Sequence, residues 1–318
     1  MNYIDMHCDT ITGLFKLGEE LYDNNMHISL KKLQKSNYAM QCFAIFIYLQ
    51  QEKEPFIACD KYIDFYYQQI QKNSDLITPV YNCQQLTDNL QQGKLSSLLT
   101  IEEGAAIEGD IDKLIHFYNR GVRMMTLTWN YENEIGYPNQ MVTPPFYADK
   151  QNGLKPFGRE VVKKMNELGM IVDVSHGSDK LFYDVIDISD KPIVASHSDS
   201  RSICDIPRNL TDEMIKVLAD HQGIMGINFA PSFISKDTKV NQIPFIVEHI
   251  KHIADVGGID CIGLGSDFDG IPTPNGMSDC TKMDELFFQL KQAGFSDEDI
   301  EKISYKNFLR VFKANCER

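Results

Sequence analysis

The sequence is short of positive charge, of long apolar runs and of paired cysteines, and each shortage excludes something. Lys and Arg number 31 against 45 Asp and Glu, for a net charge of −14, and nowhere do five basic residues run together. Such a surface repels polyanions, so nucleic acid and anionic membrane are set aside as partners. The longest apolar run, residues 39–49, contains Gln41 and is only about half of a membrane span. The opening Met1-Asn2-Tyr3-Ile4-Asp5 shows no charged segment leading into an apolar one, and residues 314–318 carry no hydrophobic tail. The expected location is therefore the cytoplasm. Eight cysteines (Cys8, Cys42, Cys59, Cys83, Cys204, Cys261, Cys280, Cys316) include no C-x-x-C pair, and free thiols are expected of them in a reducing compartment. No Gly/Ser/Pro-rich linker and no repeat divides the chain, so residues 1–318 are expected to form one domain.

What is present suits an ordinary globular protein: 318 residues, 43% hydrophobic and 24% charged, enough to bury a large core unaided. Eight apolar, β-branched segments recur, at 3–9, 40–49, 98–102, 122–128, 170–176, 192–197, 223–229 and 261–267. Their near-continuous apolar character fits strands covered on both faces. Helical spacing marks 110–119, 158–168 (closed by Gly169), a stretch opened by Thr211 as N-cap, and 242–256 before Gly257-Gly258. Strand then helix, eight times over, predicts a single (β/α)8 TIM-type barrel; the competing open doubly wound sheet needs only about six strands. Residues 296–316 read as two short helices capping the barrel. Long loops at 130–152 and 270–284 follow the fourth and eighth strands, on the face where barrel sites form.

Six chemistry-bearing residues sit at the C-terminal ends of these segments: His7, Asp9, Glu102, His176, His197 and Asp267. Alternation along a strand turns His7 and Asp9 one way and Cys8 the other. A His-x-Asp pair offers nitrogen and carboxylate to one cation. Each residue alone has a plain structural alternative: a histidine bonded to backbone, an interior ion pair, a loop cap. Their shared position at one barrel mouth favours a metal site. The remaining histidines (His27, His116, His221, His249, His252) fall in helices or loops and read as structural. Nitrogen and oxygen ligands without thiolate suit Zn²⁺, with Mn²⁺ or Co²⁺ as substitutes.

The motifs Asp5-Met6-His7-Cys8-Asp9, Ile101-Glu102-Glu103-Gly104, Leu127-Thr128-Trp129-Asn130, Val172-Asp173-Val174-Ser175-His176, Ser196-His197-Ser198 with Pro207-Arg208-Asn209, and Gly265-Ser266-Asp267-Phe268-Asp269-Gly270 resemble, in order and over nearly the whole chain, those of the membrane (renal) dipeptidase family. The resemblance implies two Zn²⁺ ions per chain, one on His7 and Asp9, the other on His176 and His197, with Glu102 bridging. It implies Asp267 as the catalytic acid/base and Arg208 as the binder of a substrate carboxylate, with Asn209, Trp129 and Asn130 expected beside the substrate. The implied activity is hydrolysis of dipeptides, tolerant of a D-residue at the C-terminal position, by a hydroxide held between the metals with Asp267 moving the proton. A homodimer through surface helices is the implied assembly.

Two positions depart from the pattern. Trp129 stands where animal members have a His thought to contact the substrate or its developing oxyanion. That role is unfilled or passes to Asn130, Tyr131 or Tyr137. Ala230 replaces a Tyr near the substrate terminus. Two other readings exist: another amidohydrolase-type enzyme (lactonase or deaminase-like), or a non-catalytic metal-binding barrel. Many such enzymes begin with His-x-His and bridge their metals with a Lys on the fourth strand, and segment 122–128 contains no Lys.

Overall fold

Residues 2–317 are described by a computed structural model of the chain. The apolar segments form β1 (Tyr3–Asp5), β2 (Tyr38–Phe46), β3 (Ile77–Pro79), β4 (Leu95–Glu102), β5 (Val122–Thr126), β6 (Ile171–Asp173), β7 (Val194–Ala195), β8 (Ile224–Ile227) and β9 (Ile262–Leu264). Their order is β1-β2-β4-β5-β6-β7-β8-β9, and every pairing is parallel. The ring closes where Met6 N–H donates to Leu264 O (2.9 Å) and Asp9 N–H to Phe268 O (2.9 Å). The architecture is therefore the expected (β/α)8 barrel. The sequence reading missed β3, three residues ending in Pro79, which pairs only with the start of β4 below β5.

Ile4, Met6, Met40, Leu98, Met124, Ile171, Val194 and Ile224 pack together with Phe308, Val311 and Phe312. These three aromatic and aliphatic side chains come from the helix Asn307–Cys316, which closes one end of the barrel, as expected of the C-terminal segment. The other end is left for chemistry. Helix Pro156–Leu168 buries Val161, Val162 and Met165 and stops at Gly169, whose φ of 81° lets its N–H reach Met165 O and Asn166 O. Thr211 caps helix Asp212–Asp220 by accepting from Met214 N–H, as its sequence position suggested. All eight cysteines are free and buried. No helix among the described residues is long and apolar enough to cross a membrane.

Several strands stop short of their apolar runs because side chains take over the backbone bonding. Asp173 accepts from Ser175 N–H (3.0 Å) and Ser196 N–H (2.9 Å), and from the hydroxyls of Thr126 and Ser196 (both 2.6 Å). Across the barrel Asp5 does the same for Ser266, accepting from its N–H (2.8 Å) and hydroxyl (2.6 Å). Hydrogen bonds to a charged group contribute roughly 1.5–3 kcal/mol each and offset part of the desolvation of a buried carboxylate, although burial still raises the Asp5 carboxyl above its usual value. These two aspartates lock the strand ends that carry His7, Asp267, His176 and His197.

Candidate metal centre

Glu102 is the last residue of β4 and its two carboxylate oxygens face different groups. Oε2 lies 3.2 Å from His7 Nε2, which in turn is 3.5 Å from Asp9 Oδ2. Oε1 lies 2.9 Å from His176 Nε2 and 3.4 Å from His197 Nε2. Two ligand clusters, His7–Asp9–Glu102 and Glu102–His176–His197, thus share one residue, and a third, His7–His197–Asp267, joins them on the far side. The six residues singled out at the strand ends are brought to one place, and all lie at the cavity or beneath it. Cys8 turns away and donates its thiol to Cys42 O.

The tautomers are set by neighbours. Ser196 spends its hydroxyl hydrogen on Asp173, so His197 Nδ1–H donates to Ser196 Oγ (2.7 Å) and its Nε2 carries a lone pair. Asn130 Oδ1 accepts from His176 Nδ1–H (2.8 Å), with the same consequence. Burial keeps both rings neutral, lowering His176 to about 4 and His197 well below its usual value. Two imidazole lone pairs 2.9 Å apart then face a carboxylate oxygen with no hydrogen among them. Such an arrangement is repulsive unless a cation sits between. On the other side His7 Nε2 and Asp9 Oδ1 are buried without a hydrogen-bond partner. Burial opposes a charge on His7, but Glu102 and Asp9 outweigh it and raise its affinity for a proton. Burial, then repulsion from Glu102, pushes Asp9 up to about 7. Burial also opposes the charge on Glu102, yet a charge on His7 outweighs burial and holds its carboxyl well below the usual range. The orphaned atoms and the nitrogen–oxygen donor set both fit a pair of divalent cations.

The backbone is strained here. Among the described residues six non-glycines have positive φ, and four of them (Glu103 96°, His176 68°, Asp267 61°, Asp269 71°) ring this site. Each costs on the order of 1–3 kcal/mol, a cost that persists where function fixes the geometry. Gly270 is needed for another reason: a Cβ there would run into the Asp9 and Asp267 carboxylates. Asp267 keeps Oδ1 3.9 Å from His7 Nε2, while Asn228 Nδ2 donates to its Oδ2 (2.9 Å). Burial raises its carboxyl to about 6.

Above these groups opens a cavity of about 380 Å³, lined by Asp9, Glu102, His176 and Asp267 below and by Phe46, Trp129 and Phe233 at the sides. That is near the small end of the roughly 300–1,000 Å³ of ligand sites. Trp129 and Asn130 both line it, and so does Lys16, a cation that sequence reasoning did not single out. Arg208 lies beside the cavity. Its guanidinium donates to Ser198 Oγ (3.2 Å) and His197 O (3.0 Å), its Nε has no partner, and the Phe233 ring stacks over it at 5.6 Å. Asn209 is placed differently from its expected substrate-facing role. Its amide donates to Cys204 O (2.9 Å) and Phe233 O (2.8 Å), which ties the 200–209 loop to the short helix Pro231–Ile234. Of the other histidines, His27 accepts from Asp269 N–H (2.9 Å) beside the site, while His249 accepts from Ser200 N–H and donates to Ile234 O.

Because Asn130 orients His176, Asn130→Ala should weaken binding of one cation by about 10- to 100-fold and spare the other. Metal titration followed by elemental analysis reads this; two unaltered sites would show that the bond to His176 is idle.

The family described as membrane dipeptidase (peptidase family M19) matches residues 1–317 of the chain. An uncharacterized dipeptidase of Schizosaccharomyces pombe is 38% identical over 229 residues, 69% of this chain, and the matched part spans about half (53%) of that protein's length. A Klebsiella pneumoniae protein encoded 5′ of pqqA is 33% identical over 228 residues, covering 69% of this chain and 82% of its own. Among solved structures, a metallo peptidase of Rhodobacter sphaeroides crystallised with a phosphinate mimic of L-Ala-D-Ala superposes with a TM-score of 0.90, at 23% identity and 99% coverage of both chains.

Proposed function

The chain belongs to the membrane dipeptidase family, and from that premise we propose that it is a zinc dipeptidase working with two cations at the barrel mouth. The observation that carries this reading is Glu102, whose two oxygens each face a separate histidine-bearing cluster. His7 and Asp9 would hold one cation and His176 and His197 the other; neutral imidazole and carboxylate, without thiolate, favour zinc, with Mn²⁺ or Co²⁺ as substitutes. When bound, such a pair supplies a water acidic enough to react near neutral pH and a Lewis acid for the scissile carbonyl.

The chain's own groups do the rest. Asp267, fixed through Oδ2 by Asn228, has Oδ1 free to take the proton of the attacking water and return it to the leaving amine. Asp267, a lining carboxylate that holds no cation in this reading, offers an acceptor to a free ammonium group. The free carboxylate falls to Arg208, reached past Phe233, with Lys16 at the rim as a second cation. Trp129 and Phe46 supply an apolar wall where the animal enzymes' histidine is missing. With both termini read in a small cavity, dipeptides are favoured over longer peptides. Tolerance of a D-residue at the C-terminal position is part of the proposal, in keeping with the L-Ala-D-Ala mimic held by the Rhodobacter protein on the same fold.

The test is a panel of L,L- and L,D-dipeptides, their N-acetyl derivatives and tripeptides, run with zinc, manganese and cobalt. Release of amino acids from free dipeptides, at least about tenfold above the blocked or longer peptides, is expected. Hydrolysis of lactones or deamination of bases, with no dipeptide cleaved, would replace this reading by another amidohydrolase activity.

A further inference from the structure

Resting on the reading above, the structure assigns a positioning role to Glu103, the fully buried acid beside Glu102, as the clamp that holds Trp129 and Asn130 over the metal cluster. Glu103 adopts φ 96° and ψ 99°, a conformation that suits glycine and strains any other residue. No demand of the backbone explains a glutamate there, so the reason lies in what its side chain holds. Oε1 accepts from Ala105 N–H (3.0 Å) and Asn133 Nδ2 (2.6 Å), and Oε2 accepts from Trp129 N–H (3.2 Å). Asn133 continues the brace: Nδ2 donates to Leu127 O (2.9 Å), and Oδ1 accepts from Ile135 N–H (2.8 Å) and Gly136 N–H (3.0 Å). One carboxylate thereby fastens the end of β4 to the segment leaving β5.

That segment carries two groups of the site. Asn130 fixes the His176 ring through Nδ1. The Trp129 ring packs edge-on against Phe46 (5.0 Å) and Tyr48 (5.6 Å) and lies 6.0 Å from the His176 ring. Glu103 touches neither cations nor cavity, so its influence runs through Trp129 and Asn130 to the orientation of His176 and the shape of the apolar wall.

The chain's single tryptophan is Trp129 itself, so its fluorescence reads the clamp directly. In Glu103→Gln one carboxylate oxygen becomes an NH₂ group. The remaining oxygen stays where two donors converge, and the NH₂ is left facing Trp129 N–H, donor against donor. Glu103→Gly fits the backbone without strain and removes the clamp altogether. Both variants are expected to melt within a few degrees of wild type, while Trp129 emission shifts to the red and is quenched more readily by acrylamide. Co²⁺ titration followed by Trp129 quenching should show one site weakened by about 3- to 10-fold, less than the roughly 10- to 100-fold of a residue bonded directly to a metal ligand, because Glu103 acts one contact further out. On the best dipeptide of the panel kcat should fall about tenfold and KM much less.

Wild-type emission and Co²⁺ affinity in either variant overturn the proposal. So do losses that simply follow the melting temperature, or failure of both variants to fold, since these mark a purely structural residue. If the wild type cleaves no dipeptide, the dipeptidase reading fails, and the emission and Co²⁺ measurements still decide the role of Glu103.

Discussion

Glu102→Gln is expected to leave at most one cation per chain and to lower dipeptide hydrolysis by at least about 10³-fold. A carboxylate offers acceptor oxygens in both directions, toward His7 at 3.2 Å and toward His176 at 2.9 Å. A carboxamide has one acceptor and one donor end, so it serves one cluster and opposes the other. It also removes a negative charge from a buried site where His7 holds that charge in place against burial. Metal Lewis acids contribute several kcal/mol to the transition state, and each 1.4 kcal/mol is about tenfold in rate. His176→Ala, by contrast, breaks only the Glu102–His176–His197 cluster and should cost one cation. Elemental analysis of dialysed variants separates the cases. Two tightly held metals in Glu102→Gln would mean that the shared carboxylate does not bridge.

Asp267→Asn should keep both metals and lose about 10²-fold or more in turnover, the range of general acid–base catalysis. Its Oδ1 sits 3.9 Å from His7 Nε2, near both clusters but in the shared core of neither. The pH profile adds a signature. Burial raises the Asp267 carboxyl to about 6, while bound cations pull it down. A proton acceptor must be ionised, so activity is expected to fall as pH drops through an acid limb at or below about 6, and Asp267→Asn should lack that limb. A variant with wild-type rate, or with the acid limb intact, would assign the proton transfer to another group.

The placement of the site could be read from the chain because each ligand closes an apolar segment of the sequence, and a parallel barrel gathers all such ends at one rim. What could not be read was how the ends are held. Asp5 and Asp173 stand inside recognisable motifs, yet sequence spacing alone does not reveal that each grips a serine of a neighbouring strand, Ser266 and Ser196. The signal was there in outline: an acid two or three positions before a ligand histidine, and a serine just before Asp267 and His197. Glu103 stands beside Glu102 in the same motif, and nothing in a pair of adjacent acids tells which faces the lumen and which turns back to its own loop. The resemblance places Asn209 beside the substrate with Arg208, and no sequence signal shows that its amide N–H groups are committed to carbonyls across the loop. The strand β3 escaped notice because three residues closing in proline carry no periodicity.

If Glu102 lies between two cations, anomalous diffraction from crystals grown with zinc should show both. Two peaks about 3.5–4 Å apart are expected on either side of the Glu102 carboxylate, one against His7 and Asp9, the other against His176 and His197. A single peak at saturating zinc, or peaks away from Glu102, would contradict that placement.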